Sequence, residues 1–210
     1  MRSVEQSRAR GRAPVRELVL DAARATVLDQ GWRAVRMGAL ATEVGLSRQT
    51  VHLEFGTKAD LGSALVRREI DGLLADISTA LHAHPGDPLA SFRDAAAVTL
   101  TSMAANPLLQ IIIGGEGDQD LLALLTSRGA WVLSGAHQML EEWAATSLAD
   151  LDPVRVEAMV EPVVRLTLSH GVTPTLPIPD AVASIVRVAC LLIGLPDPGP
   201  GPDAPSTPST

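Results

Sequence analysis

This chain is predicted to be an all-α protein, and three features of its 210 residues carry that prediction. Apolar residues recur every three or four positions through most of the length, Gly and Pro fall between these periodic stretches, and no stretch alternates apolar with polar as a half-buried strand would. Composition agrees: the residues are 46% hydrophobic but only 2% aromatic, with three Trp, two Phe and no Tyr. An interior built from Ala, Leu, Val, Ile and Met suits helices packed on helices. The length accommodates one large domain, or a small domain joined to a larger one.

Residues 1–13 read as a basic arm outside the folded part. Arg2, Arg8, Arg10, Arg12 and Arg16 surround the one acid Glu5, and no apolar segment follows as in a secretory signal. Two readings stay open for this arm: a solvated disordered tail, or a segment that follows phosphates or enters a minor groove. The first helix is expected over residues 14–30, with Pro14 at a first helical position, Leu18, Val19, Ala22, Ala23 and Val27 on one face, and Gly31 as the stop. MGALATEV (37–44) repeats the pattern and Gly45 breaks it. Ser47 is a good N-cap for a short helix over 48–54, because its hydroxyl can accept from the free amides of the first turn.

Phe55, Gly56 and Thr57 form the next break, and Lys58 opens a long helix to about residue 81, with Leu61, Leu65, Leu73, Leu74, Ile77 and Leu81 as its apolar stripe. Pro88 starts a helix reaching about Asn106, and Pro107 a short apolar one ended by Gly114 and Gly115. A long segment follows over 118–147. Helices at about 152–170 and 179–194 are strongly apolar, and Pro162 should kink the first of them. Six of the fifteen prolines fall after Gly194, so residues 196–210 read as a disordered Pro-rich tail. The expected domains are 14–60 and 61–195.

Charge is unevenly placed. The net is −7, yet residues 1–58 hold ten Lys or Arg against six Asp or Glu, leaving the remainder strongly acidic. One end of the molecule is therefore suited to a polyanion while the body repels it and favours one docking orientation. Cys190 is the sole cysteine, which excludes an intrachain disulfide framework or a Cys-based zinc site and suggests a cytoplasmic location. The longest apolar runs fall well short of the ~20 residues a membrane span needs.

The unit from 37 to 55 has the sequence form of a helix-turn-helix. Ala41, Val44, Leu46, Val51 and Phe55 should fasten its two helices to each other and to the first helix, leaving the start of the second helix projecting. A projecting helix N-terminus can place side chains on base edges in a major groove while its amides face phosphate. Arg48 and Gln49 are the residue types that read guanine and adenine, and Thr50 can contact a base or the backbone. Lys58 would add an ammonium for a phosphate on the groove wall. A polar, solvated helical hairpin is the plainer alternative.

The stretch from the first helix to Leu65, centred on MGALATEVGLSRQTVHLEFGTKADLGSAL, resembles the N-terminal domain of the TetR family of bacterial transcriptional regulators. Gly45, Leu46, Ser47, Phe55 and Lys58 match the family pattern of turn, recognition helix, aromatic group and lysine. His52 and Glu54 stand where the family usually carries Tyr. His52 can still donate to a phosphate, whereas Glu54 would repel one and is expected to turn away, onto a nearby Arg, or to accept from a cytosine. Arg36 stands where many members have a capping Thr and offers a further phosphate contact.

The resemblance implies an all-α protein: a three-helix helix-turn-helix DNA-binding domain followed by a larger helical domain for ligand binding and dimerisation. It further implies a homodimer on a double-stranded operator, with the last two helices forming a four-helix bundle across the two-fold axis, and a repressor released by a small effector. The scarcity of charge and of Tyr in the middle helices favours an apolar effector, for which Phe92, Met103, Leu108, Ile112, Leu125 and Trp131 are the candidate lining. Cys190 reads as a small buried hydrophobe near the dimer seam. No cofactor or metal is expected. His82 and His84 lie in a loop beside Pro85 without an obvious third ligand, and no phosphate loop or nucleophile elbow suggests an enzyme. An effector-independent DNA-binding factor is the competing function.

Overall fold

The computed structural model describes the backbone of residues 2–114 and 130–199, with side chains over 14–111 and 131–199. The first part of the expected 118–147 segment, most of GGEGDQD, Leu125, the side chain of Ile112 and the end of the Pro-rich tail lie outside the described residues. All regular structure among them is helical. In chain order the helices are α1 (Arg2–Gln30), α2 (Met37–Glu43), α3 (Arg48–Phe55), α4 (Lys58–Leu81), α5 (Pro88–Ala105), α6 (Pro107–Gly114), α7 (Ala130–Ser147), α8 (Pro153–Val172) and α9 (Ile178–Ile193), with a 3-10 turn at Trp32–Ala34.

Two compact units emerge, and the division falls after Ile70, inside α4, instead of at residue 60. In the first unit α1 buries Val19, Leu20, Ala23 and Val27, and the core also includes Trp32, Val35, Leu40, Val51, Phe55, Leu61, Leu65 and Ile70. Ion pairs join α1 to the first half of α4: Arg24 meets Glu69 at 3.1 Å, and Arg68 meets Asp21 at 2.7 Å and Glu17 at 3.2 Å. This is why the boundary lies beyond residue 60. α6 also belongs here; it packs on α1 and buries Leu108 and Leu109.

α1 begins at Arg2, so the segment expected as a disordered arm continues the helix. Its Arg, Ala, Glu and Gln residues are good helix formers. Pro14 sits inside the helix, where it removes one backbone donor but leaves the helix continuous.

The turn between α2 and α3 is decided by Gly45. Its φ of +71° is a left-handed conformation that β-carbon sterics disfavour for other residues. From there Gly45 N–H donates to Thr42 O at 3.2 Å and Leu46 N–H to Ala41 O at 2.7 Å, closing the last turn of α2.

The second unit is built from the end of α4 with α5, α7, α8 and α9. Its core includes Leu81, Phe92, Leu100, Leu140, Trp143, Met159, Val163, Ile185 and Val186, and Phe92 stacks on Trp143 with ring centres 6.2 Å apart. Helix starts are set by local chemistry. Asp87 accepts from Ala90 N–H at 2.9 Å ahead of Pro88, and Asp152 from Val154 N–H at 3.0 Å ahead of Pro153. α8 continues through Pro162. None of the described helices is long and apolar enough to cross a membrane.

Candidate nucleic-acid interface

α3 has eight residues, too few to hold itself together in water. It is fixed by burying Val51 and Phe55, at 0% and 6% exposure, and by its cap. Ser47, in extended conformation, accepts from Thr50 N–H at 3.0 Å, and the Ser47 and Thr50 hydroxyls lie 2.8 Å apart. Val51 N–H donates to Ser47 O at 3.3 Å. The cap thus uses the Thr50 amide, while those of Arg48 and Gln49 stand ahead of it at the helix tip, the place where a helix start receives an anion.

With Val51 and Phe55 turned inward, Arg48, Gln49, His52 and Leu53 are left exposed. Two adjacent rows make up this face, Arg48 with His52 and Gln49 with Leu53, the members of each row lying one turn apart. His52 Nδ1 lies 2.9 Å from Gly56 O. A carbonyl can only accept, so Nδ1 carries the proton and Nε2 accepts from Arg48 Nε at 3.4 Å. The stem of Arg48 also runs over α2: a β-carbon added to Gly38 would meet Arg48 Cδ at 3.8 Å. These contacts hold the arginine stem while a guanine would be gripped by its terminal nitrogens.

The flanking residues behave less simply. Arg36 precedes α2 without capping it; its guanidinium donates to the carbonyls of Arg33 and, at 3.0 Å, Val35. Lys58 is half-buried: its ammonium donates to Trp32 O at 2.7 Å and sits 4.8 Å from the centre of the Trp32 ring. Sequence reasoning assigned Lys58 to a phosphate without finding this fastening, since nothing local links residues 26 apart. Glu54 does turn away, pairing with Arg16 Nη1 of α1 at 3.3 Å, and Arg16 lies 4.8 Å over the Phe55 ring. Also unread in the sequence was the reciprocal cap of α4. Asp60 accepts from Thr57 N–H at 3.1 Å and from its hydroxyl at 2.7 Å, while Thr57 Oγ1 accepts from Asp60 N–H. The T-x-x-D spacing was the available signal.

Phe92, Met103, Leu108 and Trp131, the candidate effector residues whose side chains are described, do not gather around one space. In the second unit a cavity of about 270 Å³ is lined almost wholly by apolar groups, among them Leu89, Phe92, Trp143, Leu151, Met159 and Cys190, with exposed Asp87 and Asp150 at its margin. Among the described members of the expected set, Phe92 is the one in its wall. Met103 is buried beside Leu100 and Gly171, Trp131 is half-buried at the start of α7, and Leu108 is in the first unit. Helical spacing identifies an inward face but not which space that face borders. Burial pushes the Cys190 thiol up from its ordinary value, with a further push from Asp197, so it is held protonated in the cavity wall.

Elsewhere His84 pairs with Asp94 at 2.7 Å and His137 with Glu161. Among the described residues no three His, Cys, Asp or Glu are grouped to hold a metal ion.

Residues 19–65 match the family of bacterial regulatory proteins, tetR family, and residues 87–190 match the Bacterial Tetracyclin repressor, C-terminal domain. The HTH-type transcriptional regulator AlkX of Mycobacterium tuberculosis (strain ATCC 25618 / H37Rv) is 30% identical over 182 residues, 84% of this chain and 84% of its own. The chain belongs to the TetR family. It is a helix-turn-helix transcriptional regulator, and α2 with α3 forms the motif. Among solved structures, the TetR family repressor AlkX from Dietzia sp. strain DQ12-45-1b, described as implicated in biodegradation of n-alkanes, superposes with a TM-score of 0.65 at 23% identity, covering 86% of this chain and 96% of that one. NalD of Pseudomonas aeruginosa, the secondary repressor of the MexAB-OprM multidrug efflux pump, gives 0.57 at 19% identity, covering 90% and 100%. These two structures share the fold with this TetR-family regulator.

Proposed function

We propose that this regulator is a cytoplasmic homodimeric repressor that binds a double-stranded operator through α3 and leaves it when a small apolar effector binds the second unit. One observation carries the DNA-binding part: α3 buries Val51 and Phe55 and turns Arg48, Gln49 and His52 outward beside the free amides of its first turn. Arg48 and Gln49 would read base edges, with Thr50 beside them; Ser47 would meet the backbone, flanked by Arg36 and Lys58, while His52, its proton given to Gly56 O and its other nitrogen to Arg48, would orient the arginine and not hold a phosphate itself.

A single short helix selects poorly, so two must be presented one groove repeat, about 34–36 Å, apart. α8 and α9 are the surface for this pairing. They and their flanks expose Val154, Val172, Leu176, Leu191, Leu192 and Leu195, from 36% to 72%, a concentration of apolar area that soluble monomers avoid.

The effector reading is favoured over effector-independent binding by the cavity. A 150 Å³ apolar cavity holds benzene, so this one suits an aliphatic or aromatic molecule of about ten non-hydrogen atoms. The n-alkane connection of the Dietzia repressor agrees in chemistry. α4 is the covalent route between the two functions, since its first half belongs to the DNA-binding unit and Ile77, Ala80 and Leu81 pack in the second core. A coupling of about 1–3 kcal/mol would change operator affinity 5- to 150-fold.

The test combines two readouts. Operator duplexes are recovered by selection with the purified protein, and binding is titrated with and without medium-chain alkanes and small aromatics, while Trp143 fluorescence reports occupancy of the cavity. Release of the duplex in step with the fluorescence change is expected. Unchanged duplex affinity across an apolar panel would remove the effector, and failure to retain any duplex would remove the regulator's proposed mode of contact.

A further inference from the structure

We infer that Leu53 is a specificity-determining residue that recognises a thymine methyl group in the major groove. The inference rests on the DNA-contacting face proposed for α3. Leu53 is 71% exposed on the recognition helix; among the described large apolar side chains only Val154, on the proposed dimer face, is more exposed. A lone exposed leucine is ordinary on a protein surface. This one lies among Arg48, Gln49 and His52, where a leucine adds nothing to folding, because Val51 and Phe55 already supply the helix's buried face.

The geometry selects the target. Leu53 follows Gln49 by four residues, so the two share a row on the helix, and a helical side chain leans toward the preceding turn. Gln49 is the side chain suited to adenine N6 and N7. Four residues advance the helix by about 6 Å, roughly two base-pair steps, so Leu53 reaches the groove floor near the pair that Gln49 reads. An aliphatic side chain can recognise one feature there: the C5 methyl of thymine, the apolar group on the edges of the four standard base pairs. Phosphates offer Leu53 nothing.

The inferred half-site therefore holds an adenine for Gln49 and, within about two steps of it, a thymine for Leu53. Burying one methyl is worth about fourfold in affinity, and both half-sites together about fifteenfold.

Operator duplexes selected from a random pool by the full-length protein provide the substrate, and each thymine in turn is replaced by deoxyuridine, which keeps pairing and removes only the methyl. One thymine per half-site should lose about fourfold for the wild type, and Leu53→Ala should bind the thymine and deoxyuridine duplexes equally. Leu53→Ala must melt like the wild type by circular dichroism, as its exposure leads one to expect. Retained tight binding with no methyl-sensitive thymine overturns the inference while leaving the DNA-contacting face standing. A Leu53→Ala protein that still discriminates thymine from deoxyuridine overturns it too, by assigning the methyl to another residue. Failure to select any duplex removes both.

Discussion

Replacing Ser47 with Ala should unfasten the start of the recognition helix. The hydroxyl accepts from Thr50 N–H at 3.0 Å and meets the Thr50 hydroxyl at 2.8 Å, both at an exposed site where water partly substitutes. Loss of such a cap costs about 1 kcal/mol, within a range of 0.5–2. Because Val51 and Phe55 stay buried, the loss falls on the first turn, whose open population should rise about fivefold. Urea denaturation should show the midpoint lowered with an unchanged slope, a melting shift of about 2–4 °C for a chain of this size. Amide exchange should speed up at Thr50. Ser47→Asp separates the cap from the DNA: aspartate caps as well as serine and suits the helix dipole, so stability should hold, while its charge should weaken duplex binding. A Ser47→Ala protein within about 0.3 kcal/mol of wild type would refute the reasoning, because the hydroxyl would then be contributing below the known range for caps.

Further predictions concern the second unit. Gly194 ends α9 at φ +80°, and a β-carbon there would lie 2.2 Å from Arg155 Nη1. Gly194→Ala should therefore lower the unfolding free energy from urea denaturation by roughly 1–2 kcal/mol, the left-handed penalty of an ordinary residue. The Glu161 carboxyl is held below its ordinary range by Arg165 and then by His137. A depressed carboxylate stabilises the fold above the unfolded value and loses that contribution as pH falls through the folded one, so Glu161→Gln should flatten the acid limb of a stability–pH curve. Cys190 shifts the opposite way, up through burial. Its protonated form stabilises the fold below the unfolded thiol value, and the contribution is lost as pH rises, because the unfolded chain ionises first. Cys190→Ala should flatten the alkaline limb, and the wild-type thiol should react with a disulfide reagent only as fast as the protein opens.

Most helix limits were legible in the sequence because they are set within four residues of chain. Ser47 before Arg48, Gly45 at a left-handed angle, and Asp87 and Asp152 ahead of prolines each satisfy or deny specific backbone groups locally, so α2, α3, α4 and α5 begin and end within a residue or so of expectation. The exposed tip of α3 was equally legible, since Val51 and Phe55 fix which way Arg48 and Gln49 face. The N-terminal segment was not: its run of like charges and Pro14 are the local marks of a chain outside the fold, whereas α1 continues through them to Arg2.

What the tertiary structure alone decided are pairings between distant segments. The ammonium of Lys58 lies on the Trp32 carbonyl 26 residues away, and Glu54 is drawn onto Arg16, 38 residues away. Leu108 joins the first unit although its sequence neighbours in α5 join the second, and of the expected effector residues that are described, Phe92 alone reaches the cavity. Periodicity states that a side chain turns inward, because burial of apolar area is non-directional. Which neighbour it meets there depends on how whole helices pack, and only the folded chain holds that information.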